Sequence, residues 1–403
     1  MNVLFITLFD IKSIDSHGIY EDLLREFSNK GHHIFVVSPS ERRNRKKTYL
    51  IRKDNSVILK VKTGNIQKTN LIEKGIATVL LEPQYILAIK KYFADVKFDL
   101  VLYSTPPITL AGAVQYIKKR DGAKTYLLLK DIFPQNAVDI GMMSKTGIKG
   151  ILYHYFRAKE KKLYALSDRI GCMSSANVDF LLKQNPEISA EKVEVCPNCI
   201  DPVDMSISNQ EKFAMREKYG IPQDKKVFVY GGNLGKPQNV RFIVDCLKAA
   251  DSMPDIYFVI AGSGTDKHFL EEYIENEHPR HVCLFGQMPR NEYDKMVACC
   301  DVGMIFLDYR FTIPNFPSRL LSYMQAGLPV LACTDKSTDI GQVIVSGGFG
   351  VWCESNDTKN VIESIMKLSG ENLEEKRINS YQYLVEHYQI ERAYETIVRT
   401  DHA

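Results

Sequence analysis

Nowhere in this chain do about 18 apolar residues run together, so the sequence predicts no transmembrane helix. Met1–Asp10 is apolar but short, and it lacks the basic flank of a secretory signal. The nine cysteines are an odd, scattered set, with Cys299 and Cys300 side by side. That excludes a disulfide framework and predicts reduced thiols in a cytosol. Cys196-Pro-Asn-Cys199 has CxxC spacing without a second ligand pair, so it reads as structural rather than as a zinc or redox site. The dinucleotide fingerprint GxGxxG is missing, as is the Gly-Lys-Ser/Thr ending of a Walker loop. No solenoid-like repeat or low-complexity tract occurs.

What is present is an ordinary globular composition: 403 residues, 45% hydrophobic and 25% charged, with mean hydropathy −0.20. That length predicts two domains. The net charge is only +3, but it is unevenly placed. Residues 1–200 carry 31 Lys and Arg against 20 Asp and Glu, or +11, and the remainder 21 against 29, or −8. A basic half selects an anionic partner such as phosphate-bearing lipid or a membrane surface.

Met1–Leu8 reads as a buried first strand, Tyr20–Lys30 as an amphipathic helix and His33–Ser38 as a second strand. This βαβ opening implies a parallel sheet, with ligands at the strand C-termini. Asp15, Ser16, His17 and Gly18 would line that edge, His17 either as a ligand or as a helix-start residue. Strands are expected at Phe98–Tyr103, Lys124–Leu129 and Arg169–Met173, and helices at Thr109–Lys119 and Ala176–Lys183. Lys130, Asp131 and Asn136 follow the second of these strands, and Asp131 and Asn136 are candidates for touching substrate hydroxyls. Met142–Lys162 mixes Met, Ile, Leu, Tyr and Phe with Lys145, Lys149, Arg157, Lys159, Lys161 and Lys162. It reads as a basic amphipathic helix, either lying on an anionic bilayer or packing between elements. Val193–Asp204, with two prolines, reads as the passage between domains.

The second half restarts with strand Lys226–Tyr230, glycine loop Gly231–Gly235 and helix Val240–Ala250, a geometry that lets phosphate approach backbone. Further strands are expected at Ile256–Ala261, Val282–Phe285 and Val302–Phe306, and terminal helices at Asp357–Leu368 and Leu373–Thr400. The organising stretch is Phe311–Thr334: a polar turn, Pro317 at a helix start, helix Ser318–Ala326 stopped by Gly327, then strand Val330–Ala332. Such a helix start offers unpaired N–H groups and a positive dipole end to a phosphate, and Arg319 adds a charged fork.

Taken together, Tyr230-Gly-Gly-Asn-Leu-Gly235, Val259-Ile-Ala-Gly-Ser-Gly264, Phe285-Gly286 and Phe316-Pro-Ser-Arg319…Tyr323-Met-Gln-Ala-Gly-Leu-Pro-Val330 resemble a GT-B glycosyltransferase of family 4. Within it the chain looks most like bacterial surface-polysaccharide transferases, including N-acetyl-fucosamine transferases. The resemblance implies an α/β chain of two Rossmann-like, doubly wound domains facing a central cleft. Residues 1–200 would form a basic, membrane-facing acceptor domain and 201–380 a nucleotide-sugar domain, with a terminal helix in 381–403 crossing back to the first. It implies transfer from a UDP-sugar, with retention, to a polyprenyl-diphosphate-linked acceptor in capsule or O-antigen synthesis. The enzyme would sit on the inner face of the cytoplasmic membrane, bind no nucleic acid and need no metal or other cofactor.

By position, the resemblance sets Gly231, Gly232, Asn233, Leu234, Lys236, Gly262, Asn315, Phe316, Pro317, Ser318, Arg319, Ser322 and Thr338 around the donor, with Gln287 and Met288 at its base. Ser16, Gly18, Lys130 and Asn136 would meet the acceptor, and Asp131, Asp339 and His17 would carry the chemistry. The chain also departs from the pattern. The family's Glu-x7-Glu pair falls on Pro314 and Ser322, so both carboxylates are missing. The Arg and Lys that usually follow the glycine loop fall near Asn233 and Gln238 or Asn239, leaving Lys236 and Arg319 as replacements. Asp339 either takes over a sugar contact or caps a helix. These departures keep two alternatives open, a non-catalytic donor-binding or partner subunit and a sugar-nucleotide epimerase of the same architecture.

Overall fold

The computed structural model describes residues 1–66 and 71–399, without the side chains of residues 71, 72, 74–76 and 149, so the side chain of Lys149 lies outside it, as does Thr400. The chain forms two compact units, residues 1–201 with the segment from Ile390 onward, and Pro202–Gln389. Each is built on its own sheet.

In the first unit the strands are β1 Asn2–Ile6, β2 His33–Glu41, β3 Tyr49–Lys53, β4 Ser56–Thr63, β5 Leu100–Ser104, β6 Lys124–Leu129, β7 Arg169–Cys172 and β8 Val193–Val195. They lie in the order β3-β4-β2-β1-β5-β6-β7-β8, all parallel except β3 against β4. Apolar runs such as Val3–Ile6 and Leu100–Tyr103 are buried throughout, as strands covered on both faces must be. The helix Ile19–Asn29 turns Leu23, Leu24 and Phe27 into the core beside Phe5, Tyr126 and the two cysteines Cys196 and Cys199. Val193–Val195 therefore corrects the expectation of a linker there. Three residues beside a proline carry too little alternation to announce a strand, yet they pair with β7. Between Lys47 and Phe98, where the pattern alone marks no element, the chain makes β3, β4 and the helix Leu71–Tyr92.

The second unit has β9 Lys226–Asn233, β10 Ile256–Ser263, β11 Val282–Phe285, β12 Val302–Phe306, β13 Val330–Thr334 and β14 Gly350–Glu354. Their order, β11-β10-β9-β12-β13-β14, is that of a doubly wound sheet whose winding reverses between β9 and β12. The reversal is visible in the register. β9 stays paired with β10 from Lys226 to Asn233, but it meets β12 only at Phe228 and Val229. Beyond Val229 the two strands part, and a crevice opens at their C-terminal ends.

The expected single helix Leu373–Thr400 is two. Glu374–His387 belongs to the second unit, and Ile390–Val398 packs on the first. Tyr388 ends the former inside an aromatic cluster with Tyr383 and Phe316, while Ile390, Ala393 and Ile397 bury in the first core. There Tyr394 meets the Phe27 ring edge-on at 4.8 Å and Lys30 pairs with Glu391 at 2.7 Å.

Candidate active site

Tyr323 is the wedge that holds the second unit's crevice open. Its hydroxyl accepts the N–H of Gly231 at 3.2 Å and donates to the Met304 carbonyl at 3.0 Å, bridging the separated ends of β9 and β12. Burial pushes this hydroxyl up to about 12, so it acts as a neutral bridge. The ring needs the space that Gly303 leaves, since a Cβ there would stand 2.4 Å from it. Gly231 is required in the same way, because a Cβ would lie 1.9 Å from the Tyr293 hydroxyl. Gly232 follows at φ +124, a conformation that favours glycine, with the Arg319 guanidinium carbon 3.5 Å from where its Cβ would be.

Arg319 completes the group. Its guanidinium lies 4.4 Å from the centre of the Tyr230 ring, and its Nη1 is buried with no hydrogen-bond partner among the described residues. A buried, unpaired cationic donor is costly unless an anion comes to it. The neighbouring loop is stitched to the turn after β13: Ser337 donates to the Phe311 carbonyl at 3.0 Å and Thr338 to the Asn315 carbonyl at 2.6 Å. The buried Nδ2 of Asn315 has no hydrogen-bond partner among the described residues. Asp339 makes no cap bond to the helix Ile340–Ser346 that it precedes, and its charge acts on Tyr383.

In the first unit the polar groups collect on the C-terminal edge of β1, β5 and β6. Thr105 Oγ1 accepts the N–H groups of Lys130 and Asp131 and donates to the Asp131 carbonyl, fixing the turn after β6. Asp131 accepts from Asn136 Nδ2 at 2.9 Å. Burial pushes its carboxyl up to about 6, against the Ile132 and Asn136 hydrogen bonds that favour the anion. Such a group is poised to exchange a proton near neutral pH.

Two family models match this chain: Glycosyltransferase Family 4 over residues 18–204 and Glycosyl transferases group 1 over residues 211–385. The chain is a family 4 glycosyltransferase. It is 25% identical over 296 residues to the probable glycosyltransferase WbjE of Pseudomonas aeruginosa, covering 72% of this chain and 70% of that one. It is 22% identical over 276 residues to the putative colanic acid biosynthesis glycosyl transferase WcaI of Escherichia coli K12, covering 67% and 66%. Among solved structures, the Anabaena protein Alr3699/HepE in complex with UDP superposes with TM-score 0.69 at 13% identity, covering 99% of each chain. Two successive Rossmann-like parallel-sheet units are the GT-B fold.

Within this glycosyltransferase the expected donor residues gather on one sheet edge: Gly231, Gly232 and Asn233 end β9, Gly262 lies near the end of β10, and exposed Gln287 and half-buried Met288 follow β11. The glycine stretch is strand rather than loop as far as Asn233, because Gly231–Asn233 pair with Ala261–Ser263. Leu234 is buried, and its N–H is already taken by the Ser263 carbonyl. Lys236 stands exposed in a short 3-10 turn. The helix expected at Ser318–Ala326 begins at Arg319 and runs to Gln325, so Pro317 and half-buried Phe316 lie in the approach to it, with Ser318 and Ser322 beside its exposed side. In the first unit Ser16 and His17 are exposed on the loop after β1, where Asp22 accepts the Gly18 N–H at 3.2 Å. That loop and Asp131 share an edge, two strands or on the order of 10 Å apart. Lys130 turns the other way, its ammonium donating to the Cys196 carbonyl at 2.9 Å. Residue patterns alone assign no role to Tyr230, Tyr293 or Tyr323. For Tyr323 a signal was present, since it sits four residues after Arg319 on the same helix face. Tyr293 carries none.

Proposed function

We propose that this glycosyltransferase moves a sugar, N-acetyl-fucosamine or a related amino sugar, from a UDP-sugar to a polyprenyl-diphosphate-linked acceptor during surface-polysaccharide assembly, of the capsule or O-antigen kind. The observation that carries the reading is the buried Nη1 of Arg319 at the β9/β12 reversal, which has no hydrogen-bond partner among the described residues. The name of one relative (colanic acid biosynthesis) and the UDP held by one structural neighbour support polysaccharide assembly and the nucleotide.

The donor diphosphate binds against Arg319, whose fork neutralises the charge that develops as the sugar leaves, a role that otherwise falls to a metal. Asp339 and Asn315 orient sugar hydroxyls on the donor side, standing in for the missing carboxylates. On the acceptor side Asp131 receives the proton of the attacking hydroxyl, and Asn136 holds its carboxylate. Retention follows from attack on the face the diphosphate leaves, without a covalent enzyme intermediate. The acceptor's lipid would keep the enzyme on the inner face of the cytoplasmic membrane.

The test is transfer of labelled sugar from a panel of UDP-, GDP- and dTDP-sugars to a polyprenyl-diphosphate saccharide, with the anomeric configuration read by NMR. The expected result is a retained product from a UDP-sugar only. Donor binding without transfer to any lipid-linked acceptor would instead favour a non-catalytic donor-binding subunit.

A further inference from the structure

The helix Gly147–Leu166 buries one side and leaves the other bare. Glu160, Leu163 and Tyr164 are buried against the first unit. On the opposite side Ile148, Ile151, Leu152 and Tyr155 are 89, 72, 49 and 46% exposed. Their spacing of three, four and seven residues places them on one stripe about 10 Å long. Met142, just before the helix, is 56% exposed as well. Single exposed apolar side chains are ordinary on a soluble protein, but a contiguous stripe marks an interaction surface.

The same stripe continues one and two turns on as Lys159 and Lys162, with Lys145 preceding the helix. Two of these ammonium groups flank aromatic rings, Lys159 at 5.7 Å from the centre of Tyr155 and Lys145 at 5.7 Å from Tyr153. The helix has one acidic residue, Glu160, which is buried and paired with Arg157, so its solvent side carries no negative charge.

We infer that this face seats on an anionic lipid bilayer. Ile148, Ile151, Leu152 and Tyr155 enter the acyl boundary, and Lys145, Lys159 and Lys162 meet lipid phosphates. A second copy of the chain fits less well. Paired about its apolar stretch in either direction, the stripe sets lysine near lysine, Lys159 on Lys159 in parallel and Lys145 beside Lys159 antiparallel. A bilayer edge, apolar beneath and anionic above, matches both ends at once. The inference rests on the transferase reading only for its purpose, bringing the enzyme to a lipid-linked acceptor, and its test needs no sugar.

The full chain is floated with vesicles of phosphatidylcholine alone and of phosphatidylcholine mixed with phosphatidylglycerol. Binding is expected on the mixed vesicles only, and it should fall steeply with added salt. Ile148→Asp with Ile151→Asp, and separately Lys159→Glu with Lys162→Glu, should each lower partitioning at least about tenfold. The melting temperature and UDP-sugar binding should be unchanged, because the apolar pair is solvent-exposed and the nucleotide residues lie in the other unit. Absence of binding to either vesicle, or equal binding by folded variants, overturns the inference. So does concentration-dependent self-association that the isoleucine variant abolishes, which would assign the face to a second copy. Transfer to a short-chain soluble acceptor separates the outcomes: it succeeds if only the docking inference fails, and is absent if the transferase reading fails.

Discussion

The Arg319 guanidinium packs on the Tyr230 ring at 4.4 Å from its centre, beside Gly232, which holds a positive φ within β9. A planar cation on an aromatic face is held in orientation without using up its N–H groups. Its Nη1, without a hydrogen-bond partner among the described residues, is left to donate to an anion where β9 and β12 part. Arg319→Ala should therefore weaken UDP-sugar binding by about 1.5–3 kcal/mol, the size of a charged hydrogen bond. Arg319→Lys should recover only part of it, since an ammonium has no fork. Calorimetry decides the point: unchanged affinity in the alanine variant removes Arg319 from the donor site.

Tyr323→Phe tests the wedge. It strips the partner from the Gly231 N–H and the Met304 carbonyl together, so it should cost about 1–3 kcal/mol in urea denaturation. Because the ring remains, the crevice keeps its shape, and UDP-sugar affinity should fall far less than in Arg319→Ala. A variant as stable as wild type would show that water replaces the hydroxyl without loss.

Asp131 should set a pH dependence. Its folded carboxyl is pushed up to about 6, chiefly by burial, whereas an unfolded aspartate titrates near about 3.9. Between those values the folded chain holds the proton more tightly than the unfolded one. Stability therefore falls as pH rises through that window, and the loss is complete above it. Asp131→Asn removes the loss, so its melting temperature relative to wild type should be higher at neutral pH than near pH 4. If the carboxylate accepts the acceptor's proton, kcat/KM of wild type rises with pH through an apparent value near 6. In the variant that limb should vanish and turnover should drop by about a hundredfold or more. A full-rate variant with the limb intact would reassign the base.

On the donor side, Asp339→Asn should also cut turnover by roughly a hundredfold while leaving UDP affinity within about twofold, because it is assigned to sugar hydroxyls and not to the diphosphate. A loss confined to KM would make it a binding group instead.

If Arg319 carries the diphosphate charge, transfer should persist in excess EDTA. Activity that disappears on chelation and returns with Mg²⁺ would show that this arginine is not sufficient.

How much of this was legible in the sequence varies by level. Apolar runs such as Val302–Phe306 and Val330–Ala332 fixed the parallel strands, because a strand covered on both faces tolerates little else. Their alternation with helices announced two Rossmann-like domains, and the order of weak motifs from Tyr230 to Val330 announced the family. The glycines at 231 and 232 and Arg319 could be named as candidate donor residues because local chemistry, a missing Cβ or a charged fork, is written in the residue itself. The rest depended on partners far along the chain. That Gly231 is strand and not loop follows from pairing with Ala261, that Leu234 has no free N–H follows from Ser263, and that Lys130 faces away follows from Cys196. The roles of Tyr293 and Tyr323 exist only once β9 and β12 separate and leave a gap to be bridged. Nor could the pattern of Met142–Lys162 say whether its apolar stripe was covered. Periodicity gives a helix two faces, and only the tertiary fold decides which of them meets the core.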